Sequence, residues 1–301
     1  MSTKLTQQRQ TLQWMGLRLL VPAEWQIVRH SVEIAKGSLA LVDRRRQRLQ
    51  VIWSDWPVKP DLKQLIGDYR AQQLDRDADA KFESLALPEP WVGVARHVDH
   101  DEMLVRAARF DLPTHRLIET ALLIGREGAD QRALLTELLS ELEVVCRAED
   151  ATQWQAFDIH LTTPAGFRLR QAKVKPMHAS LRFTGHDEAK NRPDRREARI
   201  RRIAMAQTWY KGAESMLREE DWRLAFDHRP TRVGQHVATR STCQERGKRW
   251  QRYTGKLRQR CDLTWACERE NAVYHVTTLS PRGQDVEPED FTISCCREII
   301  T

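Results

Sequence analysis

The chain repeats itself, and this limits its possible folds more than any other feature. Met15-Gly-Leu17-Arg-Leu19-Leu-Val-Pro22-Ala23-Glu-Trp25-Gln-Ile27 alternates apolar and other residues around a Pro-Ala step. Phe157-Asp-Ile159-His-Leu161-Thr-Thr-Pro164-Ala165-Gly-Phe167-Arg-Leu169 repeats the pattern at an offset of 142 residues. Period-two alternation marks a half-buried strand, with Pro22 or Pro164 at a break or an edge. Ser38-Leu39-Ala-Leu41 matches Ser180-Leu181-Arg-Phe183 at the same offset. A strand ending in Trp53 is matched to one ending in Trp209, after an insertion of 14 residues. Val92-Gly93 is matched to Val233-Gly234, and Leu117-Ile118-Glu119-Thr120 to Val273-Tyr274-His275-Val276. Finally Leu142-Glu-Val-Val-Cys146-Arg147 is matched to Thr292-Ile-Ser-Cys295-Cys296-Arg297.

Landmarks kept in one order predict a tandem duplication, with repeats over 1–147 and 153–301 and a basic hairpin inserted near 185–202. In the first repeat, strands are expected near 15–29, 37–43, 47–54, 82–86, 91–98, 103–110 and 116–124. A helix is expected over 61–76, with Asp61 as N-cap and Leu62, Leu65, Ile66, Tyr69 and Leu74 as its apolar stripe. Another is expected over 129–145, and in the second repeat one over 211–222. Meander strands with interspersed helices predict an α+β class, each repeat an antiparallel sheet with helices packed on one face. The strand–Pro–strand opening, hairpin, helix, long strands and terminal helix resemble the PsbP-like fold, which includes DcrB-like proteins and the Ran-release factor. That resemblance implies a non-enzymatic binding or adaptor module and brings no catalytic signature with it.

Charge separates the two halves. The net charge is +7, but residues 1–150 hold 21 Lys+Arg against 23 Asp+Glu, and residues 151–301 hold 28 against 19. The second half should therefore prefer an anionic partner, or carry a solvated basic face. Two strips concentrate the charge: Arg195, Arg196, Arg199, Arg201 and Arg202, then Arg246, Lys248, Arg249, Trp250, Arg252, Tyr253, Lys256 and Arg258. Cations interleaved with aromatics also suit single-stranded nucleic acid, although no helix-turn-helix or zinc-finger pattern accompanies them.

Five of six cysteines fall in the second half. Buried free thiols are the expected reading, and neither a metal nor a cofactor is expected. A metal would have to draw on Cys261, Cys267, Cys295 and Cys296. Cys261 and Cys267 would stand about 20 Å apart on one strand, and adjacent Cys295 and Cys296 would point to opposite faces. Cys146 and Cys296, matched across the repeats, look like packing positions. Signatures of a phosphate loop, H-E-x-x-H or G-x-S-x-G are missing, so an enzyme is not expected. The opening residues lack a secretory layout and no apolar run reaches membrane-spanning length, which predicts a cytoplasmic chain away from membranes. The functional expectation is a binding or adaptor protein that engages another protein or an anionic partner through a pseudo-symmetric two-domain surface. The alternatives are nucleic-acid binding through the basic strips and a metal- or thiol-dependent enzyme.

Overall fold

Strand pairing dominates the computed structural model, which describes residues 8–125, 129–187, 189–190, 192–220, 224–244, 258–281, 284 and 286–296. It divides into two units, Met1–Ala148 and Glu149–Thr301. The first contains β1 (Arg9–Trp14), β2 (Leu17–Pro22), β3 (Gln26–His30), β4 (Lys36–Val42), β5 (Gln47–Asp55) and α1 (Leu62–Arg76). It continues through β6 (Phe82–Glu83), β7 (Val92–Asp99), β8 (Glu102–Asp111), β9 (Arg116–Gly125), α2 (Ala129–Glu141) and β10 (Glu143–Val144). The second contains β11 (Gln153–Ala156), β12 (Ile159–Thr162), β13 (Phe167–Lys175), β14 (His178–Asp187), β15 (Arg192–Ala204), α3 (Ala206–Trp209) and α4 (Ala213–Glu220). It closes with β16 (Asp227–Val233), β17 (His236–Gln244), β18 (Arg258–Cys267), β19 (Ala272–Pro281) and β20 (Thr292–Ile293).

Each unit has a seven-stranded antiparallel sheet. The order β3-β4-β5-β9-β8-β7-β6 in the first recurs as β13-β14-β15-β19-β18-β17-β16 in the second. The short strands repeat too: β10 and β1 flank β2, and β20 and β11 flank β12. Alternation sorts each large sheet into two faces. The inner face of the first carries Leu39, Leu41, Leu49, Val51, Trp53, Val105, Ile118 and Leu122, all buried. That of the second carries Leu181, Phe183, Ile200, Leu263, Trp265, Tyr274 and Val276. Trp154 of β11 meets Phe183 edge-on, with ring centroids 5.4 Å apart, so the short strands cover that face.

The α+β expectation is overturned. Among the described residues 55% are strand and 16% helix, a β-rich fold rather than sheets with a helical layer. The expected helix over 61–76 does form, with Asp61 accepting from the Lys63 and Gln64 amides. In the second unit, however, α3 and α4 have 4 and 8 residues, too little to cover a seven-stranded sheet. Strands β14 and β15 pair at the position of β4–β5 and extend the pairing to Asp187 opposite Arg192. Among the described residues, no helix is long and apolar enough to cross a membrane.

Strand register tests the individual matches between repeats. Leu39 opposite Val51 corresponds to Leu181 opposite Ile200, in keeping with the offset of 142. Both β8 and β9 map onto β18 and β19 residue for residue, so Leu117–Thr120 corresponds to Val273–Val276. Trp209 does not correspond to Trp53. It lies on α3, and Arg202 occupies the Trp53 position. Val233 ends β16, whereas Val92 starts β7, so their likeness is local. Cys296 occupies the position of Val145, one residue from Cys146, because Ser294 and Glu143 meet equivalent residues of β12 and β2.

Candidate functional site

The outer face of the second sheet is cationic. Cross-strand partners share a face, so Gln171, Arg182, Arg199, Thr277, Asp262, Ser241 and His228 form one row across all seven strands. The next row runs Lys173, Ser180, Arg201, His275, Thr264 and Thr239. Arg199 and Lys173 are exposed, and Arg182 is partly so. Glu197 is the acidic group beside them and bonds both Arg182 and Arg258, the latter at 2.9 Å. Burial alone would raise the Glu197 pKa, but these two guanidinium hydrogen bonds outweigh it and hold the carboxyl below its ordinary value.

The arginines grouped by sequence therefore separate. Arg199 is exposed on the outer face with Arg258 close by, Arg201 shares that face but is buried against His275, and Arg202 faces inward toward Asp158 (3.5 Å) and Glu270 (3.9 Å). Arg196 pairs with Asp194 and lies over the Phe167 ring, 5.1 Å from its centroid. Arg195 is exposed. Arg246, Lys248, Arg249, Trp250, Arg252, Tyr253 and Lys256 lie outside the described residues.

Where the two rows cross β18 and β19, the polar groups are sealed. Asp262 and His275 are fully buried. The Asp262 carboxylate accepts from His275 Nε2 (2.7 Å), Thr277 Oγ1 (2.7 Å) and Arg260 Nε (2.8 Å). Arg201 has only donors, so His275 Nδ1 accepts its hydrogen bond and Nε2 carries the proton given to Asp262. Burial opposes ionisation of Asp262, yet these hydrogen bonds and the Arg260 charge keep its pKa below the ordinary value. At the equivalent diagonal of the first unit stand Arg106 and Glu119, 3.3 Å apart. The two units thus keep one polar crossing, with the acidic residue on β9 in the first and on β18 in the second.

One row farther along β14 and β15, where His178 pairs with Ile203, lies an apolar cavity of about 530 Å³, lined mainly by Met177, Ile203, Met205, Trp209 and Met216. Its position follows from two left-handed residues. Met177 (φ 63) closes the two-residue Pro176–Met177 turn between β13 and β14, where glycine is customary. Met205 (φ 60) turns β15 into α3. Both side chains are exposed, 57% and 44%, on a backbone conformation that is costly for a residue other than glycine. Trp209 is fixed by its Nε1 donating to the Ala204 carbonyl at 2.9 Å.

The cysteines do not behave as a set of separate buried thiols. Cys243 and Cys261 are buried in the sheet, and Cys261 is pushed up to about 12 by burial. Cys267, Cys295 and Cys296 instead converge with His236, and their ligand atoms all lie within 4.8 Å of one another. Cys267 Sγ is 3.1 Å from Cys296 Sγ, and His236 Nε2 is 3.2 Å from Cys295 Sγ and 3.3 Å from Cys296 Sγ. Among the described residues, these four are placed to hold a metal. Cys261 is excluded from the candidate set, because its six-residue separation from Cys267 does place it farther along β18. The opposed-faces objection to Cys295 and Cys296 fails because neither lies in a strand: β20 ends at Ile293, and Cys296 bends the chain at φ 60. His236 carried no motif, but it begins β17 two residues before the Ala238–Trp265 pair, and Cys267 ends β18 two residues after it, which brings the two side chains near each other. No protein-family model and no curated protein matches this chain.

Proposed function

We propose that the protein is a non-enzymatic binding or adaptor module of the cytoplasm whose second unit takes an extended, acidic segment of a partner protein. The observation that carries this reading is the Met-lined cavity lying in line with the cationic rows. An apolar side chain of the partner fills the cavity, where thioethers adapt to varied shapes. Successive rows lie two residues apart along the strands, or about 7 Å. A segment extended over the sheet therefore brings a carboxylate over Lys173 two residues beyond its anchor, and one over Arg182 and Arg199 four residues beyond it. Burial of Asp262 and His275 supports a non-enzymatic role, since no reactant reaches them. The six free cysteines suit a reducing compartment. The strand–Pro–strand likeness to PsbP-like and DcrB-like proteins, drawn from sequence, leads to the same proposal.

Nucleic acid is less well served by this surface. Single strands gain affinity by stacking bases on aromatic rings, and the described residues of the two rows include no exposed Trp, Tyr or Phe. The test is a titration with a fluorescein-labelled peptide that carries one leucine followed by alternating glutamates. A single-stranded DNA of equal charge serves as competitor. Binding should weaken with salt, and Arg182→Glu with Arg199→Glu should weaken it by about tenfold or more. Equal binding by this double variant, or preference for the DNA, would overturn the proposal.

A further inference from the structure

We infer that His236, Cys267, Cys295 and Cys296 form a structural zinc site that fastens the segment after β20 to the end of the second large sheet. Three thiolates and one imidazole are a donor set that zinc takes with tetrahedral geometry. Zinc–sulfur bonds of about 2.3 Å and a zinc–nitrogen bond of about 2.0 Å require sulfur–sulfur edges near 3.8 Å and sulfur–nitrogen edges near 3.5 Å. The sulfur–nitrogen separations of 3.2 and 3.3 Å lie about 0.2–0.3 Å inside their edge and the sulfur–sulfur separation of 3.1 Å about 0.7 Å inside its own, so side-chain rotations that draw the sulfurs apart open the site to size.

The backbone is arranged for this convergence. His236 begins β17 and Cys267 ends β18, each two residues past the Ala238–Trp265 pair, which gives one pair of ligands from paired strands. The second pair is adjacent in sequence and can meet the first only if the chain turns sharply. Cys296 makes that turn at φ 60, a strained conformation for a residue other than glycine. Two further bonds fix it: its amide donates to Glu270 Oε1 at 2.9 Å, and its carbonyl accepts from Arg269 at 3.0 Å. Thiols packed for burial alone need neither the strain nor an imidazole. A disulfide is a different arrangement, since its sulfurs would stand about 2.05 Å apart.

Four protein ligands fill the tetrahedron and leave no position for a reactant, which makes the role structural. Binding converts three thiols to thiolates and releases their protons to solvent. The metal adds to the hold on this segment, where β20 pairs with β12 through two residues and the Ser294 amide donates to the His160 carbonyl. This site is independent of the peptide-binding proposal and stands or falls apart from it.

Metal analysis of the freshly purified full chain should find one zinc per molecule. Exchange for cobalt(II) should produce thiolate charge-transfer absorption and the intense visible bands of a tetrahedral centre. Cys267→Ser and Cys296→Ser should lose the metal, whereas Cys243→Ser and Cys261→Ser should keep it. Should the serine variants fail to fold, His236→Cys should still bind one zinc and should shift the cobalt bands. A metal content near zero with no cobalt–thiolate absorption would overturn the inference. So would a native mass two hydrogens light, the mark of a disulfide, or equal metal loss from the Cys243 and Cys261 variants.

Discussion

Replacing Asp262 by Asn should unfold the second unit at far lower stress than the native chain withstands. The side chain is fully buried and accepts from His275, Thr277 and Arg260, with Arg260 bonding both oxygens, at 2.8 and 3.1 Å. Asn keeps the shape but removes the charge, and its amide places a donor where Arg260 or His275 also donates. Hydrogen bonds to charged groups contribute about 1.5–3 kcal/mol each, and breaking a buried ion pair from one side costs about 3–5 kcal/mol. The second figure is the better guide, because the Arg260 charge remains. For a unit of this size it corresponds to a fall in Tm of roughly 6–20 °C. Urea unfolding followed by tryptophan fluorescence measures it directly.

The effect should also depend on pH with a definite sign. The folded Asp262 pKa lies below the ordinary 3.8, so its stabilisation is complete above that value and is lost as pH falls through the folded pKa. The gap between native and variant chains should therefore be constant from pH 7 to about 5 and shrink below about 4. A variant within about 1 kcal/mol of native at pH 7, or a gap unchanged at pH 2, would refute the account of this crossing.

Two further substitutions separate fold from function. Gly93→Ala should destabilise the first unit by about 1–3 kcal/mol in thermal unfolding, because the added Cβ would lie 2.4 Å from the Arg106 carbonyl oxygen and 2.7 Å from Leu87. Met177→Gly should do the opposite to the second. Relief of the left-handed backbone is worth about 1–2 kcal/mol against about 0.5–1 kcal/mol of added chain entropy. The variant should melt slightly higher while binding the acidic peptide more weakly.

Local rules in the sequence reached far into this fold. Alternation located the strands, Asp61 and its apolar stripe located α1, and offsets supported by several apolar positions agree with the register in β4 and β9. Matches resting on a single residue type failed. Trp53 is buried on a sheet face, whereas Trp209 terminates a short helix, and indole identity alone does not distinguish those settings. Val-Gly occurs both at a strand start and in a turn. The helical layer failed for a different reason: α3 and α4 are too short to roof a sheet, and the polar outer rows need no apolar cover except at the sealed crossing.

The thiol cluster was illegible because its key facts are tertiary. A spacing of 31 residues says nothing about His236 and Cys267 until β17 and β18 are paired in register. The convergence of Cys295 and Cys296 requires the left-handed turn at Cys296, which no neighbouring glycine announces. The arginine strip was misjudged in the reverse direction. A run of cations in sequence looks like one surface, yet alternation on β15 sends Arg202 inward and Arg199 outward.

Hydrogen exchange of the full chain, with and without the leucine–glutamate peptide, tests the binding surface most directly. The account predicts slowed exchange over residues 171–182 and 199–209, the cavity rim and the cationic rows, with the first unit unchanged. Protection centred on the first unit, or a peptide that binds without slowing those two stretches, would contradict it.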